Sequence, residues 1–257
     1  MARIGFVGTG EIASVMVQTI AGAGHDIIVS HRNERVSAEL QARHPGLRRA
    51  ENQTVVDESD VVVLCLLADT ARKELPKLAF RNDQTVISVM AGMPISELEQ
   101  LCAPVTEICI AIPLPPMPLG GTPLAVYPDH TSLYDIFGPY VDIHVCTSEV
   151  MLNAHFAATA VLLPLLDQMD VAANWLSAFT DDRAEAANYL AGLVGAYCTL
   201  LTQETGIDLA RLRAGLGTER GLNQSLSRKL ANNGTLIALE AGLDSLREKL
   251  QLPLKDQ

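Results

Sequence analysis

The sequence contains no cluster of lysine or arginine residues, and acidic residues outnumber basic ones. There are 30 Asp and Glu residues against 19 Lys and Arg residues, which gives a formal net charge of -11 at pH 7. Proteins bind nucleic acids and anionic membrane surfaces through basic patches. We therefore expect neither nucleic acid nor a membrane as a partner of this chain.

Long apolar runs and closely spaced cysteine pairs are also absent. The longest apolar run, residues 156–166, is too short to cross a bilayer and ends at Asp167. The N-terminus has the pattern of a folded strand rather than that of a signal peptide. The five cysteines are scattered without C-x-x-C spacing, so we expect reduced thiols and no metal site. These features together predict a cytoplasmic protein.

The start of the chain carries a glycine motif between a predicted strand and a predicted helix. Residues 3–13 read RIGFVGTGEIA. In such a motif Gly8 allows a tight turn, Gly10 lets the backbone approach a pyrophosphate, and Ala13 lets the helix pack closely on the strand. The N–H groups at the helix start then bind the phosphates. The residues assigned to this predicted dinucleotide site are Gly8, Thr9, Gly10, Glu11 and Ile12.

Apolar strands alternate with helices through the first 147 residues. A strand is predicted before Gly8 at the start of the chain. Further strands are predicted at residues 26–30, 61–66, 85–89, 107–111 and near 124–127, and helices at 35–43, 70–78 and 95–101. Near-continuous apolar strands that alternate with helices are typical of a parallel sheet covered on both faces. We therefore predict the α/β fold class, with a Rossmann domain over residues 1–147.

The remaining residues, 148–257, are predicted to form an all-helical domain. Helices are predicted at residues 148–176 with a bend at Pro164, at 184–205 ended by Gly206, at 209–216, and at 222–250 with a break at Asn233-Gly234. The helix over 184–205 is apolar almost all round, so we expect it to be buried. A partner subunit would supply that cover, which predicts a homodimer formed through the helical domain.

The end of the second predicted strand indicates which dinucleotide is bound. Enzymes that bind NAD usually place Asp or Glu there to hold the ribose 2′-hydroxyl, whereas this chain has Ser30, His31 and Arg32. These side chains suit a 2′-phosphate, so we predict NADP(H) in preference to NAD(H). The alternative is that His31 and Arg32 are loop residues facing water. Glu34 lies past the strand end and is not assigned to the ribose.

Three segments resemble the pyrroline-5-carboxylate reductase family. They are residues 4–10, residues 60–66 and residues 86–93, the last two being similar to the family's D-vv-iLavKP and vISi-AGv segments. The resemblance implies a small Rossmann domain followed by an all-helical dimerisation domain, and reduction of an imine. It also implies that Leu66, Leu67 and Ala68 border the ribose and nicotinamide of the cofactor, with Ala91 and Gly92 in a tight turn beneath it.

The sequence departs from this family where the substrate would bind. The family's M-P-N-T-P segment corresponds to IPLPP at residues 112–116, and its S-G-S-G-P-A segment to FAATAV at residues 156–161. Its carboxylate-binding S-P-G-G-T-T loop corresponds to TERGLN at residues 218–223. Several polar groups are lost, which predicts a less polar cyclic or acyclic imine as substrate and no proline-forming activity.

Imine reduction needs a hydride at carbon and a proton at nitrogen. The catalytic candidates are His155, Thr159 one turn further on, and Asp167. The alternatives are that His155 makes only local hydrogen bonds and that Asp167 faces solvent. The candidates for substrate binding are Pro113, Leu114, Pro115, Met117, Thr218 and Asn223. For the proline-rich loop the alternative is a structural crossover, and for Asn223 it is helix capping.

Other functions share this layout. The β-hydroxyacid dehydrogenases use a lysine on the interdomain helix, but this chain has no lysine between Lys77 and Lys229. Two alternatives stay open: a deazaflavin-dependent NADP oxidoreductase, and a non-catalytic NADP(H)-binding sensor or partner-binding protein. Hydride transfer from NADPH to an imine would discriminate the enzyme from the sensor.

Overall fold

The structure is a computed structural model that describes residues 1–203 and 208–254. The chain divides into two compact units. The first unit comprises residues 1–156 and 248–254, and the described part of the second comprises residues 157–203 and 208–247. The first unit thus extends past residue 148, where the sequence predicts the domain boundary.

An eight-stranded sheet with strand order β3-β2-β1-β4-β5-β6-β7-β8 forms the centre of the first unit. The strands are β1 (Arg3–Val7), β2 (Asp26–Ser30), β3 (Arg48–Ala50), β4 (Val61–Leu64), β5 (Thr85–Ser88), β6 (Glu107–Ile112), β7 (Thr122–Tyr127) and β8 (Val141–Val145). Strands β1 to β6 are parallel, β7 is antiparallel to β6, and β8 is parallel to β7. The predicted Rossmann-type sheet is therefore confirmed, with two further strands, β3 and β8, and one antiparallel pair that the sequence did not predict.

Helices cover the sheet because the strands are apolar on both faces. The helices of the first unit are α1 (Glu11–Ile20), α2 (Glu34–Arg43), α3 (Asn52–Asp57), α4 (Ala68–Glu74), α5 (Ile95–Leu101), α6 (Thr131–Ile136) and most of α7 (Glu149–Thr159). Ile4 and Phe6 belong to one core cluster with α1, whereas Val62 and Leu64 belong to the other, opposite cluster. Because β1 to β6 are parallel, the loops that follow them emerge at one edge of the sheet, where such folds bind ligands.

The second unit is all-helical, as predicted. Its helices are α8 (Leu162–Thr180), α9 (Arg183–Gln203), α10 (Leu209–Leu216), α11 (Leu222–Asn232) and α12 (Thr235–Asp244). The long helix predicted with a bend at Pro164 is interrupted at Ala160 and Val161, where the N–H groups bond to the carbonyl three residues back instead of four. Pro164 lies in the first turn of α8, and its missing N–H leaves the Ala160 carbonyl, four residues back, without a helical donor. Gly234, with φ of 78°, separates α11 from α12 as predicted. The predicted end of the α9 region, 204–206, lies outside the described residues.

Much apolar surface of the second unit is exposed in the single chain. In α8 only Ala173 is buried and in α9 only Ala186, while Trp175, Phe179 and Tyr189 are all exposed. The expected burial of the α9 region is therefore not reached within one chain. The segment Glu149–Thr180, formed by α7 and α8, is long and apolar enough to cross a membrane by length and composition, and one such segment is weak evidence of a membrane protein. The absence of a membrane partner thus stays a prediction.

Met117, which the sequence predicted to line a substrate pocket, is instead part of the core of the first unit. It begins a 3-10 turn, Met117–Leu119, that packs against α1 between the antiparallel strands β6 and β7. The Met117 side chain is 0% exposed, whereas Leu119 in the same turn is 87% exposed. The turn therefore anchors the proline-rich loop through Met117, and the side chain has no accessible surface for a substrate.

We expect Met117→Ala to lower the free energy of unfolding by about 2–5 kcal/mol, because it leaves a cavity against α1. Leu119→Ala, the matched control, should change it by less than about 0.5 kcal/mol. Chemical denaturation followed by circular dichroism measures both. Equal losses in the two variants would contradict the assignment of Met117 to the core.

Candidate nucleotide-binding cleft

The loop after β1 has the backbone geometry that its glycines predict. Gly8 has a φ of 93°, and a Cβ atom there would lie 2.5 Å from the carbonyl oxygen of Cys65. A side chain at this position is therefore excluded for two reasons: the positive φ is strained for residues other than glycine, and the Cys65 carbonyl occupies the space of a Cβ atom. Gly10 is the N-cap of α1 without a side-chain cap, and a Cβ atom there would meet nothing within 4 Å. Gly10 thus keeps the approach to the helix N-terminus open, as phosphate binding requires.

Ser30 holds this loop from the end of β2. It is 1% exposed, and its hydroxyl accepts a hydrogen bond from the Gly8 N–H at 2.9 Å. The Thr9 hydroxyl donates to the Ser30 carbonyl and lies 3.2 Å from the Ser30 hydroxyl. The Ser30 hydroxyl is therefore used inside the protein, where it positions the glycine loop, and its contact with a 2′-phosphate stays a prediction. The hydroxyl of Thr9 is used in the same way.

Three loops at the same edge of the sheet enclose a cleft of about 680 Å³. A volume of this size is in the range of small-molecule sites. The residues that line it are Gly8, Thr9, Gly10, Arg32, Asn33, Glu34, Cys65, Leu66, Leu67 and Thr70. The structure thus brings together the glycine loop, Arg32 and the two leucines that the sequence assigned to the cofactor. It adds Asn33, Glu34, Cys65 and Thr70, of which Glu34 had been set aside.

The two basic residues that follow β2 are each paired with a carboxylate. His31 Nε2 lies 3.2 Å from Glu51 Oε1, and Arg32 Nη1 lies 3.8 Å from Glu74 Oε1. The Arg32 side chain is 61% exposed, so a ligand in the cleft can reach its guanidinium. Of the two basic residues, Arg32 lines the cleft and His31 does not. These pairs could not be predicted from the sequence, because Glu51 and Glu74 lie far along the chain from His31 and Arg32.

Other predicted cofactor residues lie near the cleft without lining it. Glu11 and Ile12 occupy the first turn of α1, with Glu11 bordering a separate groove between α1 and α2 and Ile12 packing on the core. Ala68 begins α4. Ala91 and Gly92 form the predicted turn, in which Gly92 has a φ of 72°. Their contact with a cofactor stays a prediction.

His155, a catalytic candidate, makes local contacts at one ring nitrogen. Its Nδ1 atom lies 2.8 Å from the Met151 carbonyl oxygen and 3.7 Å from Cys146 Sγ. A carbonyl oxygen can only accept, so Nδ1 carries a hydrogen and Nε2 is the other ring atom that can exchange a proton. The pKa of the Cys146 thiol is raised by burial, which disfavours a nucleophilic thiolate beside the histidine.

The remaining candidates divide between the two units. Pro113 is buried and Leu114 half-buried after β6, while Pro115 is exposed. Asp167 on α8 is exposed, as in its solvent-facing interpretation. Thr159 is four positions after His155 on α7. Thr218 and Asn223 are exposed and flank the start of α11 in the second unit, with the Asn223 amide 3.5 Å from the Leu216 carbonyl. Among the described residues, no three His, Cys, Asp or Glu side chains form a group that could hold a metal ion.

Comparisons with known proteins agree with this cleft and with the fold. Residues 3–92 match the family model described as NADP oxidoreductase, coenzyme F420-dependent. A pyrroline-5-carboxylate reductase of Methanosarcina acetivorans is 30% identical over 118 residues, which are 43% of this chain and 43% of that protein. The match therefore spans less than half the length of that relative.

Solved structures match over nearly the whole chain. The pyrroline-5-carboxylate reductase of Streptococcus pyogenes has a TM-score of 0.82 and 18% identity, covering 98% of this chain and 99% of that one. The fold of this chain is therefore that of the pyrroline-5-carboxylate reductases. The Plasmodium falciparum pyrroline carboxylate reductase, solved with NADP bound, has a TM-score of 0.81 and 15% identity, with 96% of each chain covered. At these identities the structural likeness shows the fold, so the predicted fold class is confirmed, and the partial matches in sequence agree with the predicted resemblance to this family.

The two glycines of the loop should respond differently to alanine. Gly8→Ala should lower the free energy of unfolding by at least about 1–2 kcal/mol, because a Cβ atom there is strained and meets the Cys65 carbonyl. Gly10→Ala should fold with a change of less than about 1 kcal/mol, because its Cβ atom has space. It should nevertheless weaken dinucleotide binding, because that space is where the phosphates would lie.

Thermal unfolding and titration with NADPH separate the two effects. Normal NADPH binding by a folded Gly10→Ala protein would contradict the assignment of this helix N-terminus to the pyrophosphate.

Proposed function

We propose that this chain is an NADPH-dependent reductase of a carbon–nitrogen double bond, and that it acts in the cytoplasm on a substrate less polar than pyrroline-5-carboxylate. The observation that carries the proposal is the cleft formed by the glycine loop, Arg32 and the leucines after β4. It joins a phosphate-binding helix start to a cationic side chain at the position that distinguishes NADP from NAD.

The residues of the cleft fit NADP(H). The open N-terminus of α1 beyond Gly10 would hold the pyrophosphate, and the Arg32 guanidinium would hold the 2′-phosphate by charge-assisted hydrogen bonds. Leu66 and Leu67 would offer apolar contacts to the ribose and nicotinamide. When bound, the reduced cofactor supplies the hydride that reaches the imine carbon. The chain itself supplies binding, orientation and the proton.

The apolar residues of the loop after β6 support the proposal that the substrate is less polar than pyrroline-5-carboxylate. After β6 the loop continues as Pro113, Leu114 and Pro115, without the amide and hydroxyl that the family has there. These residues follow a strand whose carboxyl end lies at the same sheet edge as the cleft. A pocket wall of this composition favours an imine with few polar substituents over an imine that carries a carboxylate.

His155 is the proposed proton donor. Because its Nδ1 hydrogen is engaged with the Met151 carbonyl, donation must come from Nε2, which carries a hydrogen only when the ring is protonated. A role as general acid therefore requires the imidazolium form. Thr159 and Asp167 are the other polar candidates for this step.

A second function has one specific observation in its favour, namely the F420-dependent description of the family model that matches residues 3–92. Those residues contain the glycine loop and the β4 loop, so the match supports the nucleotide cleft and leaves the hydride acceptor open. Oxidation of NADPH by a deazaflavin, with no turnover of any imine, would favour this second function. Binding of NADPH with neither reaction would favour a sensor.

The predicted substrate class can be tested by following NADPH absorbance. We expect turnover of 2-methyl-1-pyrroline, a cyclic imine without a carboxylate, and little turnover of pyrroline-5-carboxylate. In the same assay His155→Ala should lower the turnover number by roughly 10²-fold, the lower range for loss of a general acid, with nearly unchanged NADPH affinity.

His144→Ala, at an exposed histidine of β8, is the control for the histidine substitution. Robust turnover of pyrroline-5-carboxylate would show that the proposed substrate restriction is wrong. Unchanged turnover in His155→Ala would remove His155 from the step and direct attention to Thr159, Asp167 or a water molecule.

We also propose a homodimer that forms through the second unit. The exposed apolar side chains of α8 and α9 support it, because apolar patches of this kind on a chain usually mark a protein–protein contact. Light scattering should give twice the mass of one chain at micromolar concentration. Leu193→Asp on α9 should shift the mass toward the monomer, whereas Leu119→Asp, at an exposed leucine of the first unit, should not. A compact wild-type monomer would contradict the proposal.

A further inference from the structure

The cation that would recognise a 2′-phosphate is already engaged by an acid of this chain. We propose that Glu74 is a specificity-determining residue, which weakens the preference for phosphorylated dinucleotides by competing for Arg32. The inference rests on the proposed binding of NADP(H) in the cleft. It adds that the negative charge of Glu74 opposes the positive charge of Arg32 in that binding.

The geometry that carries this inference lies at the end of α4. Glu74 is the last residue of α4, and its Oε1 atom lies 3.8 Å from Arg32 Nη1 and 3.1 Å from Lys77 Nζ. One carboxylate oxygen is thus shared by two cations. The Glu74 side chain is 25% exposed, so it is partly withdrawn from water, where its charge acts more strongly than on an open surface.

Glu74 contacts Arg32 from outside the cleft lining, and no described residue of the lining itself forms an ion pair with Arg32. Among the described residues that line the cleft, Arg32 is the one cation and Glu34 the one anion. The ion pairs among the described residues join Arg32 to Glu74 and none joins it to Glu34. His31 is paired with Glu51 outside the cleft lining. Glu74 is therefore the acid that engages Arg32 directly, while Glu34 adds a negative charge to the lining without an ion pair to Arg32 among the described residues.

The sign of the effect follows from the charges. A 2′-phosphate is an anion, so it must either share the Arg32 guanidinium with Glu74 or displace Glu74 from it. The Glu74 carboxylate also repels the phosphate. A ribose 2′-hydroxyl is neutral and has no such cost. Glu74 therefore penalises the phosphorylated cofactor selectively. Because the Arg32 side chain is well exposed, water and salt screen the effect, and we expect a factor of about two to five rather than orders of magnitude.

Adenosine 2′,5′-bisphosphate and adenosine 5′-monophosphate test this site without any turnover, because they differ by the 2′-phosphate alone. We expect Glu74→Gln in the full chain to lower the dissociation constant of the bisphosphate by about two- to fivefold in calorimetric titration, with little change for the monophosphate. Glu99→Gln, at an exposed acid on α5, makes the same change in net charge and should have a smaller effect.

Variants of Arg32 distinguish the inference from the proposal on which it rests. If Arg32→Ala weakens the bisphosphate no more than the monophosphate, the NADP(H) assignment fails and the inference fails with it. If Arg32→Ala acts selectively but Glu74→Gln leaves the bisphosphate unchanged or weakens its binding, the inference alone is overturned. A gain that persists in the Arg32→Ala, Glu74→Gln double variant would also overturn it, because the effect would then not pass through Arg32.

Discussion

The hydrogen bond from the Gly8 N–H to the Ser30 hydroxyl is the interaction on which the candidate site depends. The Gly8 N–H follows the last residue of β1 and is partly buried, where a donor without an acceptor would be costly. Ser30 supplies the acceptor from the last position of β2. The same bond therefore holds the glycine loop against the end of β2. Arg32 enters the cleft because it follows two residues later.

The sequence predicted best those elements whose signal is local. The predicted bounds of β2 (Asp26–Ser30) and α5 (Ile95–Leu101) agree with the structure, and so does the predicted helix break at Gly234. Each of these predictions depends on a few neighbouring residues, such as an apolar run or a glycine that can adopt a left-handed conformation. The short edge strand β3 (Arg48–Ala50) was missed because it has no apolar run of its own. It pairs with β2 only because the fold brings it there.

The roles of individual polar side chains were the least predictable part. A hydroxyl at the end of β2 is compatible with a ligand contact or with an internal bond, and its partner Gly8 is distant in sequence. The carboxylates that engage His31 and Arg32 come from the N-cap of α3 and the last residue of α4, at spacings that carry no pattern. Tertiary contacts thus decide the charge near a ligand site. An interpretation of Arg32 from the sequence alone overstates how freely its guanidinium can bind a phosphate, because it does not include the ion pair with Glu74.

The two halves of the candidate site tolerate change differently for a physical reason. The glycine loop is held by backbone conformation and by buried bonds to Ser30, so most substitutions there would disturb the fold as well as the cleft. The loop after β6 is held instead by Met117, which is buried in the core. Because Met117 anchors the turn, the exposed Pro115 and its neighbours can exchange polar for apolar character at little cost in stability. A chain of this fold can therefore keep its candidate dinucleotide cleft while the side chains of the loop after β6 change.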